Sequence, residues 1–297
     1  MLRLLMLAVI AVSVSATAAS SAVPLRPAAA VHLVVPAYIN GKGPFPVILD
    51  TGADNSVVYQ WFAKKEGFKA GKMEDVGGMT GSRMMPIYKL DSVAVDGRMI
   101  RNAKADGMPN RHDVEIEVGA VGNDLMDGTV TVFDFPCKKV EIFAEPVNMQ
   151  RLLTPGAHRI HAAGVRDGTQ LAFPVQVNGA RGIAVLDTGS SDTRINSAFV
   201  RAAGIDPSSV TFRDAEPIFG VSSHAVPSKK GPIGTVTFGG IEVRGAEARL
   251  IDLPIFPSWG FGNGPAMILG LDLLQGHRLI YDHKAKTIWF DVSTCTR

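Results

Sequence analysis

Two aspartates stand out by what surrounds them. Asp50-Thr51-Gly52-Ala53 closes the apolar run Phe45 to Leu49, and Asp187-Thr188-Gly189-Ser190 closes the run Ile183 to Leu186. Two carboxyl groups held in contact cannot both ionise, so they share one proton. The ionised member can take a proton from water while the protonated one gives its own to a carbonyl oxygen. Such a pair would hydrolyse an amide without a metal or a covalent intermediate. Asp50 and Asp187 are therefore the expected catalytic residues, with the acid and base roles unassigned because the pair titrates as a unit. Gly52 and Gly189 would let backbone amides approach the carboxylates closely. One Asp-Thr-Gly alone would read as an ordinary turn; two at the same place in a repeat carry the inference.

Other chemistries lack their patterns. No His pair has HExxH spacing, Cys137 and Cys295 lie too far apart in sequence for a zinc motif, and there is no Gly-x-Ser-x-Gly elbow. No metal and no cofactor is expected. Asp124 and Asp272 recur between the halves and are read as structural, and Asp134 and Asp282 as turn residues.

The elements that must position the two aspartates are written twice. Ile39-Asn40-Gly41 and Val177-Asn178-Gly179 each precede one of the apolar runs, so each aspartate ends the second strand of a hairpin with an Asn-Gly turn. A short helical stretch follows in both halves, Gln60 to Glu66 before Gly67 and Ser197 to Ala203 before Gly204. Gly78 to Pro86 matches Gly220 to Pro227, and Val93 to Gly97 parallels Val236 to Gly240. Val121-Gly122-Asn123-Asp124-Leu125-Met126 aligns without gaps to Leu269-Gly270-Leu271-Asp272-Leu273-Leu274. The expected fold is mainly β: two β-barrel-like lobes from an internal duplication, facing one another across a cleft. The first lobe is placed at 19–147, a linker at 148–168 where alternation fades, and the second lobe at 169–297.

With these motifs in place, nearly all of the chain after residue 18 resembles the pepsin/retropepsin superfamily of aspartic peptidases, and most of all a duplicated, single-chain retropepsin-like protease. Asp50-Thr51-Gly52-Ala53-Asp54 is similar to the retroviral form of the motif and Asp187-Thr188-Gly189-Ser190-Ser191 to the pepsin form. The resemblance implies that Thr51 and Thr188 hydrogen-bond across the interface, with Gly52, Ala53, Gly189 and Ser190 supporting the two loops. It implies that Gly122 and Gly270 buttress those loops. Flaps over the cleft are expected at Gly77, Gly78, Met79, Thr80, Gly81 and Ser82, and at Phe219, Gly220, Val221, Ser222 and Ser223. The pepsin-type flap tyrosine has no counterpart, since Tyr88 lies beyond the expected tip. The implied activity is an endopeptidase acting on extended polypeptide, with one chain sufficient for a complete site. Two alternatives stay open: a peptide-binding module without turnover, and a protease whose target is its own N-terminal region.

A formal charge of +2 predicts no nucleic-acid partner, because phosphate binding needs a concentrated basic face. Lys138-Lys139 and Lys229-Lys230 are read as solvated pairs in turn-like stretches. At the N-terminus, Arg3, the apolar run Leu4 to Val14 and Ala16-Thr17-Ala18 predict a signal peptide over 1–18 and export to the periplasm or exterior. The membrane is a partner only if that segment stays uncleaved as an anchor. In an oxidising compartment Cys137 and Cys295 could pair or remain free thiols, and the sequence favours neither.

Overall fold

Asn40 and Gly41 turn the chain with φ of 51° and 74°, and Asn178 and Gly179 with 48° and 83°. Positive φ at both central residues is the turn geometry that matches the twist of flanking strands, and Asn-Gly is the pair that adopts it at least cost. The computed structural model describes residues 22–28, 32–110, 117–165, 168–222 and 224–295. The expected signal peptide and Ser223 lie outside them.

The first turn joins strands His32–Ile39 and Lys42–Leu49, and the second joins Leu171–Val177 and Ala180–Leu186. Each side-chain amide of the turn also ties its hairpin to the neighbouring long strand. Asn40 Oδ1 accepts from the amides of Asp91 and Ser92, and Asn178 Oδ1 from that of Thr235.

Each half forms an eight-stranded sheet with the same spatial order. In the first half the order is Arg26–Ala28, His32–Ile39, Lys42–Leu49, Gly119–Val121, Val57–Tyr59, Arg98–Met108, Gly81–Val95 and Ala70–Gly78. In the second it is Ala163–Gly164, Leu171–Val177, Ala180–Leu186, Ala266–Leu269, Arg194–Ile195, Ile241–Leu250, Val226–Phe238 and Arg213–Ile218. The fold is thus mainly β, in two retropepsin-like lobes made by duplication. Helices Gln60–Glu66 and Ser197–Ala202 fall where expected, and Gly67 and Gly204 stop them at φ of 71° and 73°.

A third sheet takes strands from both halves. Its six strands run in the order Val23–Pro24, Lys139–Ala144, Thr129–Asp134, Arg278–Asp282, Thr287–Asp291 and His158–His161. The central pair, Val130↔Asp282 through Asp134↔Arg278, joins one strand from each half. His158–His161, placed in the linker, is an edge strand of this sheet, and Ala163–Gly164 opens the second lobe's sheet. The strand His158–His161 is exposed at three of its four positions, so it has no buried face to impose apolar alternation. A single apolar cluster then runs through both halves, from Leu125, Met126 and Phe133 to Phe173, Tyr281 and Phe290.

Asp134 and Asp282 cap turns as expected, accepting from the amides of Cys137 and Ala285. Asp134 also accepts from Ser293 Oγ of the other half. Lys229 and Lys230 are not in a turn but within Val226–Phe238, where Lys230 Nζ meets Asp192 Oδ1 at 2.8 Å.

Cys137 and Cys295 form a disulfide, with Cα atoms 5.2 Å apart and a separation of 158 positions in sequence. A cross-link over so long a loop removes many unfolded conformations. Replacing both cysteines by serine is expected to destabilise the protein by about 2–4 kcal/mol, read as a lower denaturant midpoint. An unchanged midpoint would show that the shared sheet already supplies the whole constraint.

Candidate active site

The apolar strands Lys42–Leu49 and Ala180–Leu186 end buried, and each delivers an aspartate at the centre of the molecule. The amide of Asp50 donates to Val121 O at 2.9 Å, and that of Asp187 to Leu269 O at 3.1 Å, so each aspartate is registered on the strand before a buttressing glycine. Those glycines are required by space. A Cβ on Gly122 would lie 2.9 Å from Ala53 O, and one on Gly270 the same distance from Ser190 O. The next amides, Asn123 and Leu271, donate to these two carbonyls at 2.9 and 2.8 Å.

The two loops interlock. Thr51 Oγ1 donates to Leu186 O and accepts from Thr188 N, both at 3.1 Å. Thr188 Oγ1 donates to Leu49 O at 2.6 Å and accepts from Thr51 N at 3.1 Å. Both threonines are almost fully buried. The glycines that follow bring the carboxyl groups together. A Cβ on Gly52 would fall 2.6 Å from Asp187 Cγ, and one on Gly189 2.6 Å from Asp50 Oδ1. Each glycine of one half therefore leaves the space that the other half's carboxyl group fills.

The carboxyl groups of Asp50 and Asp187 lie close enough to influence one another's ionisation. Burial, then the charge of Asp187, push Asp50 well above the ordinary carboxylate range, and the amides of Gly52 and Gly189 oppose them. Gly52 N donates to Asp50 Oδ1 at 2.8 Å. Burial raises Asp187 as well, but there the guanidinium of Arg194 is the leading opposing influence. Both carboxyl groups are therefore harder to ionise than a free aspartate.

Asp124 and Asp272 do not join this pair. Asp124 Oδ1 accepts from Ser56 Oγ at 2.8 Å and Asp272 Oδ1 from Thr193 Oγ1 at 2.6 Å, pinning the ends of the two loops. Among the described residues no group of three or more His, Cys, Asp or Glu could hold a metal ion.

The hairpin tips expected as flaps meet one another. Thr80 Oγ1 and Ser222 Oγ lie 2.8 Å apart, and Ser222 Oγ is also 2.8 Å from Thr80 O. A Cβ on Gly78 would overlap the side chain of Val221, and one on Gly220 would lie 2.6 Å from Thr80 Oγ1. Met79 packs on the second lobe's apolar cluster around Ile218, Leu253, Phe256 and Ile268. Gly77 lies in the strand that leads to the first tip, and Gly81, paired with Gly78, opens the return strand. Tyr88 is a core residue.

Sequence reasoning missed three tethers. Asn123 Nδ2 donates to Thr51 O at 3.0 Å and is held by Tyr281 OH from the other half. Gln170 Nε2 donates to Gly52 O at 3.1 Å. The third is Arg194, whose Nη1 donates to Ser190 Oγ. Aligning the halves gives a signal for it: an arginine stands seven places after Asp187, where valine, Val57, stands seven after Asp50.

A family model described as aspartyl protease matches residues 35–125 and again 173–273. No curated protein matches the chain.

A carboxyl group with a raised folded-state pKa binds its proton more tightly when folded than when unfolded. Its stabilising contribution is complete below the unfolded carboxylate range and is lost as pH rises through the folded value. At pH 7 the pair is thus a net cost to the fold. Asp50→Asn is expected to raise Tm there by about 2–4 °C, and the gain should shrink as pH approaches about 3. An equal or lower Tm at pH 7 would count against a pair held together at the expense of stability.

Proposed function

The chain belongs to the aspartyl protease family, and from that premise we propose that it is an active endopeptidase whose Asp50 and Asp187 jointly activate water against a peptide bond. The observation that carries this reading is the reciprocal fit of Gly52 to Asp187 and of Gly189 to Asp50. Nothing in an ordinary turn requires two carboxyl groups to meet on a molecular midline at a cost in ionisation energy.

In the proposed reaction the ionised carboxylate removes a proton from a water held between the pair, and the water oxygen adds to the peptide carbonyl carbon. The protonated partner gives its proton to the carbonyl oxygen, producing a neutral gem-diol. Collapse reverses the roles. The newly protonated carboxyl gives its proton to the amide nitrogen, the other takes one back from a diol hydroxyl, and the C–N bond breaks. No charge leaves the pair, so a buried site suits the chemistry.

The substrate is an extended polypeptide lying between the two hairpin tips and the interlocked loops. In that position its backbone would take up hydrogen bonds that the tips now make to each other. One chain supplies both aspartates, so a monomer is sufficient. The protein is also proposed to be exported, a reading that the disulfide supports because such bonds persist in oxidising compartments. Protein isolated from its host should then begin near Ala19. A soluble form with Met1 intact would refute this.

The decisive experiment uses peptide hydrolysis with Asp50→Asn, Asp187→Asn and both together. Each single variant is expected to lose at least about 1,000-fold in kcat, with the double scarcely lower, because the pair acts as one unit. Wild-type activity per molecule should be constant on dilution to low nanomolar. Retention of most activity by either single variant would exclude the dyad mechanism. Peptide binding by the wild type without turnover would leave a binding module instead.

A further inference from the structure

Three hydrogen bonds lead in series from the second half to Asp50. Tyr281 OH donates to Asn123 Oδ1 at 2.8 Å, and Asn123 Nδ2 donates to Thr51 O at 3.0 Å. Thr51 O and the Gly52 amide belong to one peptide group, and that amide donates to Asp50 Oδ1 at 2.8 Å. A peptide group is planar, so fixing its carbonyl also fixes the direction of its N–H. Asn123 can serve only one way round, because Thr51 O accepts and cannot donate.

The series is one-sided. The gapless alignment of the halves puts Leu271 at the place of Asn123. The pairs Val130↔Asp282 and Asp134↔Arg278 map the two central strands of the shared sheet onto each other, so Phe133 stands at the place of Tyr281. Both polar groups are thus exchanged together for apolar ones, and Leu271 offers no side-chain donor to Thr188 O. Leu271 and Phe133 belong to the apolar cluster instead. On the Asp50 side, Thr51, Asn123 and Tyr281 are all fully buried. A buried amide and a buried phenol are tolerated only when they are paired. Burial, then the charge of Asp50, push the Tyr281 phenol up, so it stays protonated and keeps its hydrogen to give.

We infer that Tyr281 and Asn123 are positioning residues for Asp50, fixing the Thr51–Gly52 peptide so that its N–H stays aimed at the Asp50 carboxyl group. In the proposed reaction Asp50 passes between its protonated and ionised forms. A donor already held in place serves the ionised form without reorganising. Asp187 lacks this series, so one aspartate is braced from the opposite half and the other is not. The kinetic meaning rests on the peptidase reading, although the titration of Asp50 can be followed without turnover.

Three variants test it. Tyr281→Phe removes one oxygen and leaves the ring type that the other half carries at Phe133. Asn123→Leu installs what the fold already accepts at Leu271, and the third variant combines the two. Each single variant is expected to lower kcat about 3- to 10-fold with KM held within about twofold. Because the two side chains act in series, the double variant should be no slower than Asn123→Leu alone. A hydrogen bond to a carboxylate favours its ionised form, so loosening it makes Asp50 easier to protonate. The limb of the kcat profile that Asp50 sets should therefore move to higher pH, by about 0.3–1 pH unit.

A second arm uses NMR and no substrate. In the wild type the Gly52 amide proton should follow the titration of Asp50, and an amide signal that ignores it overturns the proposal. The aspartate carboxyl carbons are assigned by difference with Asp50→Asn and Asp187→Asn. The step belonging to Asp50 should move up in Tyr281→Phe, and neither step of the pair should move down. Tyr281→Phe decides this arm by itself if a leucine variant does not fold. A lower denaturant midpoint with the limb and the titration unmoved would mark a merely structural role. Losses that multiply in the double variant would mark two independent supports, and a rise in KM alone a substrate contact. Each of these results overturns the proposal. If the wild type cleaves no peptide, the peptidase reading fails and the titration still decides the roles of Tyr281 and Asn123.

Discussion

Two carboxyl groups in contact repel each other once both are charged, by about 4 kcal/mol at 4 Å in a surface-like dielectric and more where water is excluded. The threonine interlock opposes that separation with four buried hydrogen bonds, Thr51 and Thr188 each giving one and accepting one. At about 0.5–1.5 kcal/mol net apiece, these bonds are of the same order as the repulsion they resist. Holding one proton between the carboxyl groups would remove most of that repulsion, whereas parting the loops would break all four of these buried hydrogen bonds. The molecule therefore keeps its geometry and changes its protonation, which is the property the proposed chemistry uses.

Duplication explains why the interlock is symmetric, and divergence explains where the symmetry ends. The frame has been kept: Gly122 and Gly270, Ser56–Asp124 and Thr193–Asp272, Asn40 and Asn178 do the same work in each half. Other positions have diverged. Asn123, which reaches Thr51 O, is matched by Leu271, and Ala53 and Val57 are matched by Ser190 and Arg194. Between Leu250 and Ala266 the second half also carries the short helix Ile255–Ser258, which walls the apolar cluster that Met79 enters. A homodimer of one unit could not hold these differences at its midline, because its two halves share one sequence.

The legible parts of this fold were those imposed by local chemistry. Asn-Gly demanded a turn with positive φ, the apolar runs demanded buried strands, and Gly67 and Gly204 had to stop helices. The Asp-Thr-Gly copies pointed to the carboxyl pair because they stand at the same place in a repeat, and the structure adds that a Cβ on either glycine would strike the opposite aspartate. What stayed hidden depends on distant partners. His158–His161 is mostly exposed and has no pattern of its own; its strand state comes from pairing with Thr287–Asp291. The disulfide joins residues whose separation no sequence supplies. Lys230 looked like a turn cation because Gly231 and Pro232 follow it, yet its strand partner Arg249 and the anion Asp192 fix it in a sheet.

The halves are joined very unequally at the two ends of the aspartate pair. Behind it lie a sheet with strands from both halves, a continuous apolar cluster and the disulfide. In front, the tips are joined through Thr80 and Ser222, with Met79 and Val221 packed beside them. Those few hydrogen bonds amount to roughly 1–4 kcal/mol, whereas parting the cores would expose several large side chains at about 1.5–3 kcal/mol each. An opening for a peptide would therefore cost least at the tips, and more at the shared sheet. An extended chain entering there can replace the tip-to-tip hydrogen bonds with its own backbone groups, and its side chains can take the apolar surface that Met79 vacates. Entry would then exchange contacts instead of losing them, while the four hydrogen bonds of the threonine interlock hold the two aspartate loops together.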